Sequence, residues 1–126
     1  MGLEGDLGAG KTTFLQGFAM GLGIKEKILS PTFILMKKFQ IPPKSNMPQN
    51  LRSQVLWYKW FYHIDCYRLK DEKNLEMLGF EKVISNPQNI VAVEWPEKVS
   101  KILPKSIISI KFKHFKEDKR ELTISI

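Results

Sequence analysis

This sequence predicts an α/β fold: a mostly parallel central sheet flanked by helices, with an antiparallel hairpin at its C-terminal end. Three observations carry that expectation. A glycine-rich loop leads directly into a helical run; two apolar, β-rich segments, 55–65 and 89–94, each end on an acidic residue; and two alternating runs, 106–115 and 120–126, close the chain.

The loop is Gly5-Asp6-Leu7-Gly8-Ala9-Gly10-Lys11-Thr12. It fits the pattern of a glycine, four residues and Gly-Lys-Ser/Thr, which makes the expected fold P-loop NTPase-like. Glycines let the backbone turn tightly and aim its N–H groups inward around a phosphate, and the positive end of the following helix favours an anion there. Lys11 is placed to reach the β- and γ-phosphates as a point charge, and the Thr12 hydroxyl to ligand a Mg²⁺ bridging them. Thr13 is a spare hydroxyl. In the helix, Phe14, Leu15 and Phe18 lie on one face, and Gly21-Leu22-Gly23 ends it. Such a loop normally leaves a strand of about five residues. Only Met1-Gly2-Leu3-Glu4 precede it, so the N-terminal segment looks truncated, as in a fragment of a longer chain; a strand cut to two or three residues is the alternative.

A chain of 126 residues with 43% hydrophobic composition suits one domain, 1–126. The net charge of +7 favours anionic partners such as RNA without demonstrating one, since the lysines are scattered and arginine occurs only at Arg52, Arg68 and Arg120. Cys66 is the single cysteine, which excludes an internal disulfide and a cysteine-based metal site. Neither a run of about eighteen apolar residues nor a secretion signal is present, so the expected location is cytoplasmic.

Beyond the first helix, Ser30-Pro31 gives an extended entry to a strand expected from 32 to 39. Thr32, at its start, either lies near the γ-phosphate and Mg²⁺ or caps a turn. Residues 40–54, with Pro42, Pro43, Ser45, Asn46, Pro48 and Asn50, read as a loop insertion, either a partner contact or a hairpin connection. The aromatic run 55–65 is a strand in which Trp57 and Trp60 read as packing rather than base stacking. His63 flanks its terminal Asp65 as packing or a hydrogen-bonding group. Arg68 either contacts phosphate or pairs with the acids at 71 and 72; a helix broken near Gly79 follows over 71–83. After the strand 89–94, Trp95-Pro96 makes a rigid corner, and a short helix is expected over 97–103 before the hairpin of 105–126.

Two strands with terminal acids suit the end of an open α/β sheet where ligands gather. The expected division is that Asp65 helps hold Mg²⁺, directly or through water, while Glu94 orients or deprotonates the attacking water; a sheet-end cap is the plainer role for Glu94. Two other functions use the same loop. A small-molecule or nucleotide kinase needs an acceptor site and an arginine-rich lid, which three arginines serve poorly; a nucleotide-dependent interaction module needs no essential hydrolysis and no Glu94.

Five blocks in order, Gly5 to Phe14, Gly21-Leu22-Gly23, Ser30-Pro31-Thr32-Phe33, His63-Ile64-Asp65-Cys66-Tyr67-Arg68-Leu69 and Val93-Glu94-Trp95-Pro96-Glu97, resemble the TsaE (YjeE) family along nearly the whole chain. The resemblance implies an ATP- and Mg²⁺-dependent ATPase, slow by itself, required with TsaD and TsaB for N6-threonylcarbamoyladenosine (t6A) at position 37 of tRNA, with tRNA reached through that complex. By motif it carries over Lys11 and Thr12 as phosphate and Mg²⁺ residues, Thr32 as part of the segment near the γ-phosphate, Asp65 as the acid of its block, and Glu94 with Trp95 as a functional pair. The residues expected around the nucleotide are thus Gly5, Asp6, Leu7, Gly8, Ala9, Gly10, Lys11, Thr12, Thr13 and Trp95; those around the metal are Thr12, Thr32, Asp65 and Glu94. The chain departs from the family pattern in lacking the N-terminal segment with its first helix, and in a longer connection at 40–54.

Overall fold

The computed structural model describes residues 1–30, 35–43, 49–50 and 58–126. Its elements, in chain order, are β1 (Gly2–Glu4), α1 (Lys11–Gly21), β2 (Met36–Gln40), β3 (Trp60–Asp65), α2 (Lys73–Met77), α3 (Phe80–Ser85), β4 (Asn89–Glu94), a 3-10 turn (Pro96–Val99), β5 (Ser109–Lys116) and β6 (Lys119–Ser125). Six strands form one mixed sheet in the order β2-β3-β4-β1-β5-β6. The inner pairs β3·β4, β4·β1 and β1·β5 are parallel; β2 and β6 join antiparallel at the two edges. The expected α/β architecture with its C-terminal hairpin is therefore present.

β1 is only three residues long, yet it is the spine of the sheet. Gly2 and Leu3 pair with Val93 and Glu94 on one side, while Gly2, Leu3 and Glu4 pair with Ser109, Ile110 and Lys111 on the other. A strand buried on both faces and both edges needs few residues, because every peptide group it has is already in a ladder.

Alternation along the strands splits the core into two layers. On the α1 face, Leu3, Phe61, Ala92, Ile110 and Phe112 meet Leu15 and Ala19 of the helix. Phe14 stands edge-on to Phe112, and Phe18 lies against Phe61, so the apolar side expected for this helix is the one it buries. On the opposite face, Ile64 and Val93 pack with Leu75, Phe80 and Val99 from α2, α3 and the 3-10 turn. Fully burying a side chain such as Leu15 contributes roughly 1.5–3 kcal/mol.

Three local expectations change. The strand expected over 32–39 is observed as Met36–Gln40, with 31–34 outside the described residues. The short helix expected over 97–103 is a single 3-10 turn, because Pro96 starts it but Pro104 and the intervening polar residues give nothing to extend it. The strand expected from 55 begins at Trp60, where pairing to Asn89 starts; the segments 44–48 and 51–57, most of the 40–54 insertion and Trp57 with them, lie outside the described residues. The broken helix is present, with Gly79 at φ 76 between α2 and α3. Among the described residues, no helix is long and apolar enough to cross a membrane.

Candidate functional site

The glycine-rich loop runs from the carboxyl end of β1 to the first residue of α1, and two of its glycines are demanded by geometry. A Cβ on Gly5 would stand 2.7 Å from the carbonyl oxygen of Phe112, with φ at 141°. Only glycine lets β5 pass that close. Gly10, at φ 100°, occupies the N-cap position of α1 in the left-handed region. A Cβ at Gly8 or Gly10 would meet nothing within 4 Å. The loop thus keeps an open hollow at the helix N-terminus, which matches the room and the polarity that a phosphate group requires.

Lys11 begins α1 and is only 5% exposed. Its Nζ donates to the loop's own carbonyls, Gly5 O at 2.5 Å and Asp6 O at 3.0 Å, and lies 4.3 Å from the centre of the Trp95 ring. The ammonium is therefore held by weak acceptors and a π face, a set of contacts that an anion can replace.

Thr12 Oγ1 donates to Glu94 Oε1 at 3.0 Å, and His63 Nε2 lies 2.8 Å from the same oxygen. Glu94 is 3% exposed and His63 is fully buried. Parallel pairing sets Asp65 opposite Glu94 at the ends of β3 and β4, so both expected acids arrive at one rim of the sheet. Asp65 is the more open of the two. Its Oδ2 accepts from Ser30 Oγ at 2.6 Å, and its Oδ1 from the Tyr67 backbone N–H at 2.9 Å.

Trp95 follows Glu94 at φ 59°, a left-handed conformation rare for a bulky residue. Its N–H donates to Leu3 O at 3.2 Å, and its ring sits 5.1 Å from that of Tyr67. This turn swings the indole over Lys11. The rigid corner expected at Trp95-Pro96 is present, and its strain lies beside the loop.

Gly10, Lys11, Thr12, Ser30, Asp65, Glu94 and Trp95 line one cleft of about 730 Å³, which also takes in Leu7, Gly8, Thr13, Leu35, Tyr67 and Arg68; His63 and Gly5 lie outside its lining. Ala9 alone among the loop residues turns into the core. Thr32 lies outside the described residues. Sequence reasoning missed the His63–Glu94 contact and Ser30 on Asp65; the two-residue spacing of His63 and Asp65 on one strand face was the available signal for the first.

Next to the site, Cys66 is fully buried. Burial, then the Asp65 charge, pushes its thiol up to about 12. It behaves as packing.

A glycine-rich phosphate-loop motif at the carboxyl end of the central parallel strand, with two carboxylates on neighbouring strand ends, defines the class: an α/β protein of P-loop type. Within it, the chain belongs to the TsaE family, matching over residues 1–122 the family described as Threonylcarbamoyl adenosine biosynthesis protein TsaE. It is 38% identical over 123 residues to the tRNA threonylcarbamoyladenosine biosynthesis protein TsaE of Bacillus subtilis (strain 168), covering 98% of this chain and 66% of that one. It is 34% identical over 122 residues to the protein of the same name from Haemophilus influenzae, covering 97% and 66%. The crystal structure of Bacillus subtilis YdiB superposes with a TM-score of 0.69 at 32% identity, over 98% of this chain and 64% of that one. The chain thus spans just under two thirds of the length of these relatives.

Proposed function

We propose that this chain is the ATP-binding and ATP-hydrolysing component required for t6A modification of tRNA, acting as one domain in the cytoplasm with TsaD and TsaB and meeting tRNA through their complex. The observation that carries the reading is the contact of Thr12 with Glu94: the hydroxyl that ends the phosphate-loop motif already touches a buried carboxylate on the adjacent strand end.

The residues fit Mg-ATP. The hollow at Gly8 and Gly10 receives the β-phosphate, and the α1 N-terminus adds its dipole. Lys11 exchanges Gly5 O and Asp6 O for phosphate oxygens. Thr12, through its hydroxyl, and Asp65, directly or through a water, both line the cleft and would hold the cation. A bound Mg²⁺ would neutralise charge developing on the β- and γ-phosphates. Glu94 orients a water for in-line attack and accepts its proton. Trp95 and Tyr67 wall the cleft from solvent.

The experiment is a calorimetric titration of Mg-ATP into the chain and its Lys11→Ala variant, with phosphate release followed alone and then with TsaD, TsaB and tRNA. Binding lost in the variant and release stimulated by the complex support the proposal. Absence of binding by the unmodified chain removes it.

A further inference from the structure

We infer that His63 is a positioning residue: it anchors the Glu94 carboxylate when Thr12 leaves it for the Mg²⁺ of a bound nucleotide. This rests on the function proposed above.

Register places the pair. His63 is opposite Ala92 and Asp65 is opposite Glu94, so His63 and Glu94 are diagonal neighbours on the α1 face of the sheet. At 2.8 Å, and with no exposure at the imidazole, the contact is a hydrogen bond inside the protein. Glu94 brings only acceptors when ionised, so the ring proton must sit on Nε2 and point at Oε1. Nδ1 is buried with no hydrogen-bond partner among the described residues. The opposite tautomer would bury an unpaired N–H and turn a lone pair against the carboxylate, which is the worse arrangement on both counts.

Glu94 Oε1 thus has two donors of different kinds. Thr12 Oγ1 sits on the loop–helix junction in the cleft, where the function demands that it turn to the cation. His63 is on an inner strand with neighbours on both sides and, among the described residues, no other polar contact to draw it away. When the threonine leaves, the histidine is the donor that remains. Without it, a carboxylate set on the last residue of β4 rotates freely about its terminal bonds, and the water it should aim is no longer in line.

Three variants separate this role from simple packing. His63→Leu fills similar space and donates nothing. His63→Gln carries an amide N–H that reaches as far as Nε2. His63→Asn is polar but ends short of it. Mg-ATP affinity is measured by calorimetry and phosphate release in a single turnover, with thermal melting of each chain alongside. The expected result is a release rate about 10–100-fold lower in His63→Leu and His63→Asn, with affinity within about threefold, and most of the rate restored in His63→Gln. In a Glu94→Gln background the His63 substitutions should lower the rate no further, because they act through Glu94. A second readout needs no nucleotide. The ¹⁵N spectrum of the imidazole should show a protonated Nε2 and a bare Nδ1, and Glu94→Ala should shift the Nε2 signal.

Equal losses in His63→Gln and His63→Leu, or a His63→Leu chain that folds and releases phosphate at the unmodified rate, overturn the inference. So does a ring protonated on Nδ1 alone, which decides the matter even if His63→Leu fails to fold. Failure of the proposed function looks different, because the unmodified chain itself would then release no phosphate.

Discussion

Thr12 and Glu94, 82 positions apart in the sequence, are joined by a 3.0 Å hydrogen bond between the start of α1 and the end of β4. One side chain belongs to the phosphate loop and the other to the neighbouring strand. The bond therefore ties the loop directly to the end of the sheet.

Glu94→Gln tests what the carboxylate does beyond that bond. The amide oxygen still accepts from Thr12 and His63, so the scaffold is kept while the proton acceptor is lost. Mg-ATP affinity is expected to stay within about threefold and phosphate release to fall at least about 100-fold, read by calorimetry and single-turnover release. Undiminished release would leave Glu94 as a sheet-end cap.

The ammonium of Lys11 beside the Trp95 ring, at 4.3 Å, gives an optical handle. Drawing Lys11 onto phosphate oxygens removes a cation from the indole face, so Mg-ATP should change tryptophan emission. The change is expected to vanish in both Lys11→Met and Trp95→Phe. Persistence in Trp95→Phe would assign the signal to Trp57 or Trp60 instead.

Gly5 and Gly8 should differ in how much an alanine costs. At Gly5 the new methyl meets the Phe112 carbonyl at 2.7 Å as well as an unfavourable φ, so Gly5→Ala should lose more than about 2 kcal/mol in denaturant unfolding. At Gly8 the methyl meets open space, leaving only the left-handed backbone at φ 76°, a cost of about 1–2 kcal/mol. Gly8→Ala should nonetheless weaken nucleotide binding, since its methyl stands in the hollow. Equal stability losses would contradict the close approach of β5.

Cys66 should be inert to a disulfide-exchange reagent at pH 8 in the folded chain and react at once after unfolding. Its folded thiol titrates at about 12, above the ordinary value of 9.0. Stability from this group is accordingly full below pH 9 and is lost as pH rises from 9 toward 12, because the unfolded thiol releases its proton first. Fast labelling under native conditions would show that the strand end opens.

The fold was legible where the sequence states chemistry locally. The loop motif fixes its own helix, the acid after each apolar strand marks the rim of the sheet where Asp65 and Glu94 meet, and the alternation of 106–115 and 120–126 gives a hairpin. What stayed hidden are features set by pairing across the sheet. His63 reads as an isolated histidine until β3 and β4 are in register, and only then is it beside Glu94. Ser30 reaches Asp65 across 35 positions, with no periodicity to announce it. The 3-10 turn after Pro96 depends on where β5 begins, which Pro104 and the polar residues near it leave open. Lys11 is legible as the lysine of the loop motif, but its contacts with Gly5 O and Asp6 O are a property of the loop closed on itself.

The shortness and centrality of β1 bear on how the chain is made. Its two neighbours are β4 and β5, so the strand that anchors the phosphate loop at the very start of the sequence gains its edges from residues 89–94 and 109–116. These are among the longest sequence separations the fold contains, and closing such loops is the slow, entropically costly part of folding. The motif at residues 5–12 precedes in sequence both segments that give its strand an edge. The glycine-rich loop is therefore fixed against the sheet only when these distant pairings have closed, which makes its geometry a property of the whole fold rather than of its own motif.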